Sequence, residues 1–121
     1  MIDHLAFEVS DLGRSAAFYD AIFFALGVRR AFESPAAVAW GDNHPAFWIV
    51  ARGQAPGPSY GHVALRASGR SAVGAAHRAG LLAGGTDDGA PGPRPNYGPR
   101  YYAAYLRDPD GLRVELVTGH S

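Results

Sequence analysis

The sequence repeats itself, and the repeat limits the fold more strongly than composition does. The tetrapeptide His-Leu-Ala-Phe at residues 4–7 recurs 58 residues later as His-Val-Ala-Leu at 62–65. The same offset relates Gly27 to Gly85, and each of these glycines ends a segment of helical periodicity. Since the offset is close to half of the 121 residues, the chain is expected to contain two copies of one module.

Each half predicts one strand, one helix and three further strands. In the first half, apolar residues alternate as in a strand, and a helical pattern then runs from the N-cap Asp11 to Gly27. The second half repeats this order with a helix at 71–83, whose buried side should include Val73 and Leu81. The predicted strands lie at 2–9, 28–33, 36–40, 46–51 and 61–67, near Thr86, at 100–107 and at 112–118.

The predicted fold is therefore α+β, with two paired βαβββ modules that form an open, barrel-like cleft. A single domain should span residues 1–121, with one module at about 1–52, a Pro/Gly-rich linker at 53–60 and a second module at about 61–119. Residues 88–99 are also rich in Pro and Gly, and we expect this long irregular segment to form a wall or lid of a site.

Composition excludes several classes of function. The chain has no Cys, which excludes disulfides and thiolate metal sites, and all 11 basic residues are Arg, which excludes Schiff-base chemistry on Lys. The formal net charge is +0 and the charges are dispersed, so nucleic acid is not an expected partner. No apolar run approaches the roughly 20 residues of a membrane span, and no signal-like segment is present, so a cytoplasmic protein is expected.

Strand alternation places three possible metal ligands on equivalent faces. His4 and His62 are related by the repeat, while Glu115 lies between Val114 and Leu116, which should face a helix. Two imidazoles and one carboxylate form a facial set that holds a divalent cation with positions open for substrate. The alternative is that these side chains are structural or solvated, as single His and Glu residues in strands usually are.

Further candidates line or flank the same faces, and each has a structural alternative. Trp48 is either a pocket wall or a core residue, and Glu8 and Arg66 either form an ion pair or bind a charged substrate group. Tyrosines near the 88–99 segment could bind a substrate ring or donate a proton, unless they pack that segment onto the surface. These tyrosines are Tyr97, Tyr101 and Tyr102, the last as a possible catalytic proton donor. Arg94 and Arg100 flank the apex of the same segment, and each is either an anion contact or a solvated arginine.

The whole layout resembles the vicinal oxygen chelate superfamily, which includes glyoxalase I, bleomycin-resistance proteins, extradiol dioxygenases and fosfomycin-resistance thiol transferases. The resemblance rests on the two modules, on His4 and His62, and on Tyr-Leu-Arg-Asp-Pro-Asp-Gly-Leu-Arg-Val-Glu-Leu at 105–116. It implies that His4, His62 and Glu115 bind a divalent metal (Zn, Fe, Mn, Ni or Co). It also implies catalysis at Glu115, a small-molecule substrate and a homodimer whose modules pair within a chain or across the dimer.

The sequence departs from glyoxalase I at one ligand position. Aligning the last strands of the two modules puts Trp48 opposite Glu115, and a Trp side chain cannot bind a metal. The expected function is thus a metal-dependent lyase, isomerase or thiol transferase rather than glyoxalase I. A dioxygenase is disfavoured because those enzymes are generally longer. The alternative is a metal-free protein that sequesters a small molecule, as bleomycin-resistance proteins do.

Overall fold

The computed structural model describes residues 1–57 and 60–119, so positions 58 and 59 of the predicted linker lie outside the described residues. The element order repeats, as the sequence predicts. The first module contains β1 (Leu5–Glu8), α1 (Leu12–Leu26), β2 (Arg30–Glu33), β3 (Ala37–Trp40) and β4 (Phe47–Val50). The second contains β5 (His62–Arg66), α2 (Arg70–Leu82), β6 (Thr86–Pro93), a short 3-10 helix (Pro95–Tyr97), β7 (Tyr102–Arg107) and β8 (Arg113–Thr118).

Each module builds its own mixed sheet. The strand orders are β1-β4-β3-β2 and β5-β8-β7-β6, with β1 parallel to β4 and β5 parallel to β8. The α+β fold with two βαβββ modules is therefore confirmed. The two sheets are not closed into a barrel in the described part of the chain, and β1 and β5 are both edge strands.

The helices pack against each other and cover one face of each sheet. Asp11 accepts a hydrogen bond from the backbone N–H of Arg14, and Gly27 ends α1 with a φ of 80°, as the sequence predicts. Val73 is buried in the common core, but Leu81 is 39% exposed, so its predicted burial is wrong. The residue of this helix buried in its place is His77, whose Nε2 lies 2.9 Å from Oδ1 of Asp87.

The two helices approach closely at Gly80. A Cβ atom there would lie 2.5 Å from Cδ1 of Leu106 and 2.9 Å from Cγ2 of Ile22. Leu106 and Ile22 are fully buried, so neither side chain has free space to move into. The absence of a side chain at Gly80 therefore permits the contact that joins the modules.

The Asp-Pro-Asp-Gly turn between β7 and β8 is a second joint between the modules. The buried carboxylate of Asp108 accepts hydrogen bonds from the Tyr19 hydroxyl at 2.6 Å and from the backbone N–H groups of Asp110 and Leu112 at 2.9 Å each. Asp110 accepts further bonds from Ser10, at the start of the first module's helix. The turn that carries the family resemblance thus also ties the second module to the first.

The prediction that residues 88–99 form an irregular segment is partly wrong. β6 extends to Pro93 and pairs with β7, although its register shifts between Asp87 and Gly89 and again between Gly89 and Gly92. A strand tolerates such Gly and Pro content here because β6 is an edge strand of its sheet.

No helix in the described part of the chain is both long and apolar enough to cross a membrane.

Candidate functional site

The candidate site lies on the face of the second sheet that points away from the helices. In β8, Val114 and Leu116 are fully buried in the core beneath α2, so the alternate residue Glu115 points to the other face. Strand register places Glu115 between Ala64 of β5 and Tyr105 of β7. The sheet therefore fixes the carboxylate by its own pleat.

Both carboxylate oxygens of Glu115 have partners. Nε2 of His62 lies 2.9 Å from Oε1, which accepts a hydrogen bond when that nitrogen carries the proton. The hydroxyl of Tyr101 donates a short hydrogen bond of 2.5 Å to Oε2. Glu115 is only 2% exposed, and these contacts compensate for the burial of its charge.

The carboxylate also controls the protonation of nearby phenols. The hydrogen bond to Glu115, together with partial burial, raises the pKa of Tyr101 well above its ordinary value. Burial raises the pKa of Tyr105, and the negative charge of Glu115 raises it further. Both phenols therefore keep their protons to higher pH than an ordinary tyrosine, and Tyr101 remains a hydrogen-bond donor to Glu115.

A cavity of about 230 Å³ opens over this group. Its aromatic wall includes Tyr97 and Tyr101, whose ring centroids lie 5.4 Å apart. The guanidinium of Arg113 lies over the Tyr105 ring, 3.9 Å from its centroid. The cavity is lined by His62, Tyr97, Tyr101, Tyr105, Arg113 and Glu115.

His4 does not join this group within one chain. It precedes the edge strand β1, its side chain is 53% exposed, and its Nδ1 lies 2.7 Å from Oδ1 of Asp3. Within residues 1–57 and 60–119, no three His, Cys, Asp or Glu side chains are grouped so that they could hold a metal ion. One chain therefore brings together two of the three predicted ligands, His62 and Glu115.

Trp48 occupies in the first sheet the position that Glu115 occupies in the second. Ala6 pairs with Trp48, and Ala64, its equivalent under the repeat, pairs with Glu115. The indole N–H of Trp48 donates to the carbonyl of Pro45 at 3.2 Å, and its ring packs against Phe32. Trp48 does not line the Glu115 cavity of its own chain.

The structure places three further predicted residues away from this cavity. Tyr102 packs against the core on the helix-facing side of β7, with the guanidinium of Arg70 over its ring. Because neighbouring strand residues point to opposite faces, Tyr102 cannot reach Glu115, and Tyr101 contacts the carboxylate in its place. Arg66 and Arg100 are exposed and do not line the cavity.

The predicted ion pair between Glu8 and Arg66 is wrong. Glu8 accepts hydrogen bonds from the side chain and backbone N–H of Arg52, which follows β4. The hydrogen bond from the backbone N–H of Arg52, followed by those from its side chain, lowers the pKa of Glu8. This pair closes the end of the first sheet and leaves Glu8 outside the Glu115 cavity.

Two residues of the cavity, Tyr105 and Arg113, were not predicted from the sequence. Tyr105 directly faces Glu115 across the β7–β8 pair, and Arg113 precedes Glu115 by two positions in β8. Strand alternation does place Arg113 on the face of Glu115, but its role as a wall of the cavity was not predicted. Tyr105 required the pairing register, which the turn between β7 and β8 determines.

Comparisons with known proteins agree with this architecture. The sequence model of the Glyoxalase/Bleomycin resistance protein/Dioxygenase superfamily matches residues 1–116. A crystal structure of a glyoxalase/bleomycin resistance protein from Albidiferax ferrireducens T118 is 30% identical, with a TM-score of 0.83 and 95% of each chain covered.

Two solved structures of lower identity share the fold. The fosfomycin resistance protein FosX from Mesorhizobium loti is 20% identical, with a TM-score of 0.71 over 98% of this chain and 92% of that chain. A glyoxalase I variant from Zea mays is 24% identical, with a TM-score of 0.71 over 94% of this chain and 45% of that chain. No curated protein matches the sequence. Because this family model matches nearly the whole length of the chain, the chain belongs to the Glyoxalase/Bleomycin resistance protein/Dioxygenase superfamily.

Proposed function

We propose that this protein is a divalent-metal-dependent enzyme that acts on a small molecule in the Glu115 cavity, as a lyase, an isomerase or a thiol transferase. The observation that carries the proposal is the buried Glu115 carboxylate, held between His62 and Tyr101 at the wall of an open cavity. Superfamily membership supports a small-molecule enzyme or binding protein. The cytoplasmic location stays a prediction.

The donor set fits a divalent cation when two copies of the chain combine. His62 and Glu115 supply one imidazole and one carboxylate from the same sheet, and His4 of the partner subunit supplies the second imidazole. His62 lies on the edge strand β5 and His4 immediately precedes the edge strand β1, and in the described residues no strand pairs with the outer edge of either. A two-fold dimer can therefore bring the β1 edge of one subunit to the β5 edge of the other. Such a dimer contains two equivalent sites.

A bound divalent metal polarises substrate oxygens and stabilises the negative charge that develops on them. The protein's own residues perform the remaining tasks. The Tyr101 hydroxyl fixes the orientation of Glu115, and the carboxylate is the group in the cavity suited to accept a proton from the substrate. The rings of Tyr97 and Tyr105 exclude water from one side of the bound molecule.

The second candidate function is metal-free binding of a small molecule. It is favoured by Trp48 at the position equivalent to Glu115, and by the fact that His62 and Tyr101 already satisfy Glu115 within one chain. In that case the aromatic cavity would bind the ligand and Glu115 would have only a structural role. The two functions differ in whether the protein needs a metal.

Metal content distinguishes these functions. Protein purified without chelators, and again after reconstitution with each candidate metal, is measured by mass spectrometry beside His62→Ala and Glu115→Gln. The enzyme hypothesis predicts about one metal per chain in the wild type and a loss of more than tenfold in metal affinity in each variant. Glu33→Gln is the matched control for Glu115→Gln, because Glu33 lies in β2 of the other sheet and its side chain is 68% exposed. If the reconstituted wild type binds no metal, the metal-dependent enzyme is rejected and metal-free binding of a small molecule remains.

A further inference from the structure

A second cavity of about 370 Å³ adjoins the Glu115 cavity along the same sheet face. The two cavities share the side chains of Tyr97, Tyr105 and Arg113 as common walls. The second cavity adds Arg94 and Asn96, from the segment between β6 and β7. A molecule with one end beside Glu115 can therefore extend its other end towards Arg94.

Backbone groups and glycines, rather than an acidic residue, position the Arg94 side chain. Its Nη2 donates to the carbonyl of Ala90 at 2.9 Å, and its Nη1 donates to the carbonyl of Pro93 at 3.3 Å. A Cβ at Gly92 would lie 3.1 Å from Nη1, and one at Gly89 would lie 3.5 Å from Nη2. The glycines of β6 thus leave room for the guanidinium to lie along the strand.

The positive charge of Arg94 has no acidic partner in the part of the chain that the structure describes. The neighbouring Arg107 and Arg113 share the single carboxylate of Asp88, at 3.1 and 2.8 Å. Arg107 and Arg113 are thus both paired with a carboxylate, whereas Arg94, which lines the second cavity, forms no ion pair within the described residues. Since two of the five N–H donors of Arg94 bond to carbonyls, others remain for a ligand.

We propose that the second cavity binds an oxyanion group of the substrate, a carboxylate or a phosphonate, and that Arg94 is the residue that recognises it. A planar guanidinium held in place before the ligand arrives forms paired hydrogen bonds to such a group with little loss of side-chain entropy. The substrate class is then a small organic acid whose anionic end lies beside Arg94 while its reacting end lies beside Glu115. The position of the reacting end rests on the proposed function, whereas anion binding itself does not.

The test measures anion binding in metal-stripped full-length protein. Benzoate and phenylphosphonate are titrated separately by NMR, with the neutral benzamide as the control ligand. The inference predicts saturable shifts by at least one anion at the backbone N–H groups of the non-proline residues within 89–97, and no binding of benzamide. Arg94→Gln should weaken binding at least tenfold, and Gly92→Ala should weaken it because the new Cβ displaces the guanidinium. Arg78→Gln, on the exposed side of α2, is the matched control and should bind normally.

The inference is overturned if neither anion saturates the wild type, or if Arg94→Gln binds as tightly as Arg78→Gln. Metal affinity of the same variants separates this result from the proposed function, because Arg94 is not a proposed metal ligand. Anion binding without metal binding would keep the subsite and reject the metal-dependent enzyme. Metal binding without anion binding would support the metal-dependent enzyme and reject the anion subsite.

Discussion

Two alanine substitutions in the same helix should change stability in opposite directions. Gly74 and Gly80 both lie inside α2, where replacing Gly by Ala stabilises a helix by about 1 kcal/mol. At Gly74 a new Cβ has no atom within 4 Å, so Gly74→Ala should raise the free energy of unfolding by about this amount. At Gly80 the new Cβ would meet Leu106 at 2.5 Å and Ile22 at 2.9 Å.

Those two contacts decide the sign of the effect at Gly80. Overpacking a well-packed core typically costs about 1–3 kcal/mol, and the upper part of this range applies because both neighbours are fully buried. After the gain in helix propensity, Gly80→Ala should lower the free energy of unfolding by about 1–2 kcal/mol. The two variants should therefore differ by about 2–3 kcal/mol.

Urea denaturation followed by circular dichroism measures both variants, and an unchanged slope against urea would show that the surface exposed on unfolding stays the same. The reasoning is refuted if Gly80→Ala is as stable as Gly74→Ala. That outcome would mean that α1 and α2 do not pack closely at Gly80. The two modules of one chain would then be joined mainly by other contacts, such as the hydrogen bond from Tyr19 to Asp108.

Three further predictions concern the joint between the modules and the site. Asp108→Ala should cost about 3 kcal/mol of unfolding free energy in a urea titration, because the buried Tyr19 hydroxyl and two backbone N–H groups lose their acceptor. Burial raises the pKa of Tyr19, and the negative charge of Asp108 raises it further. The stabilisation by the protonated Tyr19 hydroxyl is therefore complete below about pH 10 and is lost as the pH rises through the higher pKa of the folded state. Tyr19→Phe should therefore lose less stability than the wild type between neutral and alkaline pH. Tyr101→Phe should weaken metal affinity by about tenfold or more in a metal titration, because the proposed ligand Glu115 loses the donor that orients it.

Much of the fold could be predicted because the repeat and the alternation of apolar residues are local signals. The helix between Asp11 and Gly27 follows from an N-cap side chain and a glycine with positive φ. Only the start of β6, near Thr86, could be predicted, because the Asp-Gly-Ala-Pro-Gly-Pro that follows at 88–93 is typical of a loop. It is a strand only because β7 offers a pairing edge on one side and no strand pairs on the other, so the missing proline N–H groups are tolerated.

The candidate site was predictable to the extent that it depends on single strands. Val114 and Leu116 in the core place Glu115 on the opposite face, and the repeat finds His62. Which of Tyr101 and Tyr102 faces Glu115 depends on where the alternation of β7 begins. Two adjacent tyrosines in the sequence do not reveal this. Whether His4 reaches Glu115 depends on how the two modules pack against each other. A glycine at the helix contact does not reveal that packing from the sequence alone.

The measurement that tests the shared site most directly is metal content in hybrid dimers. Chains with His4→Ala and His62→Ala are coexpressed with different tags, and the hybrid is purified through both. The account predicts that each variant alone holds almost no metal, whereas the hybrid contains one complete site and holds about half of the wild-type content per chain. A hybrid of His62→Ala with Glu115→Gln is the matched control and should hold almost none, since both ligands come from the same subunit. An empty His4→Ala and His62→Ala hybrid, or full metal content in either single variant, would contradict a metal site shared between two subunits.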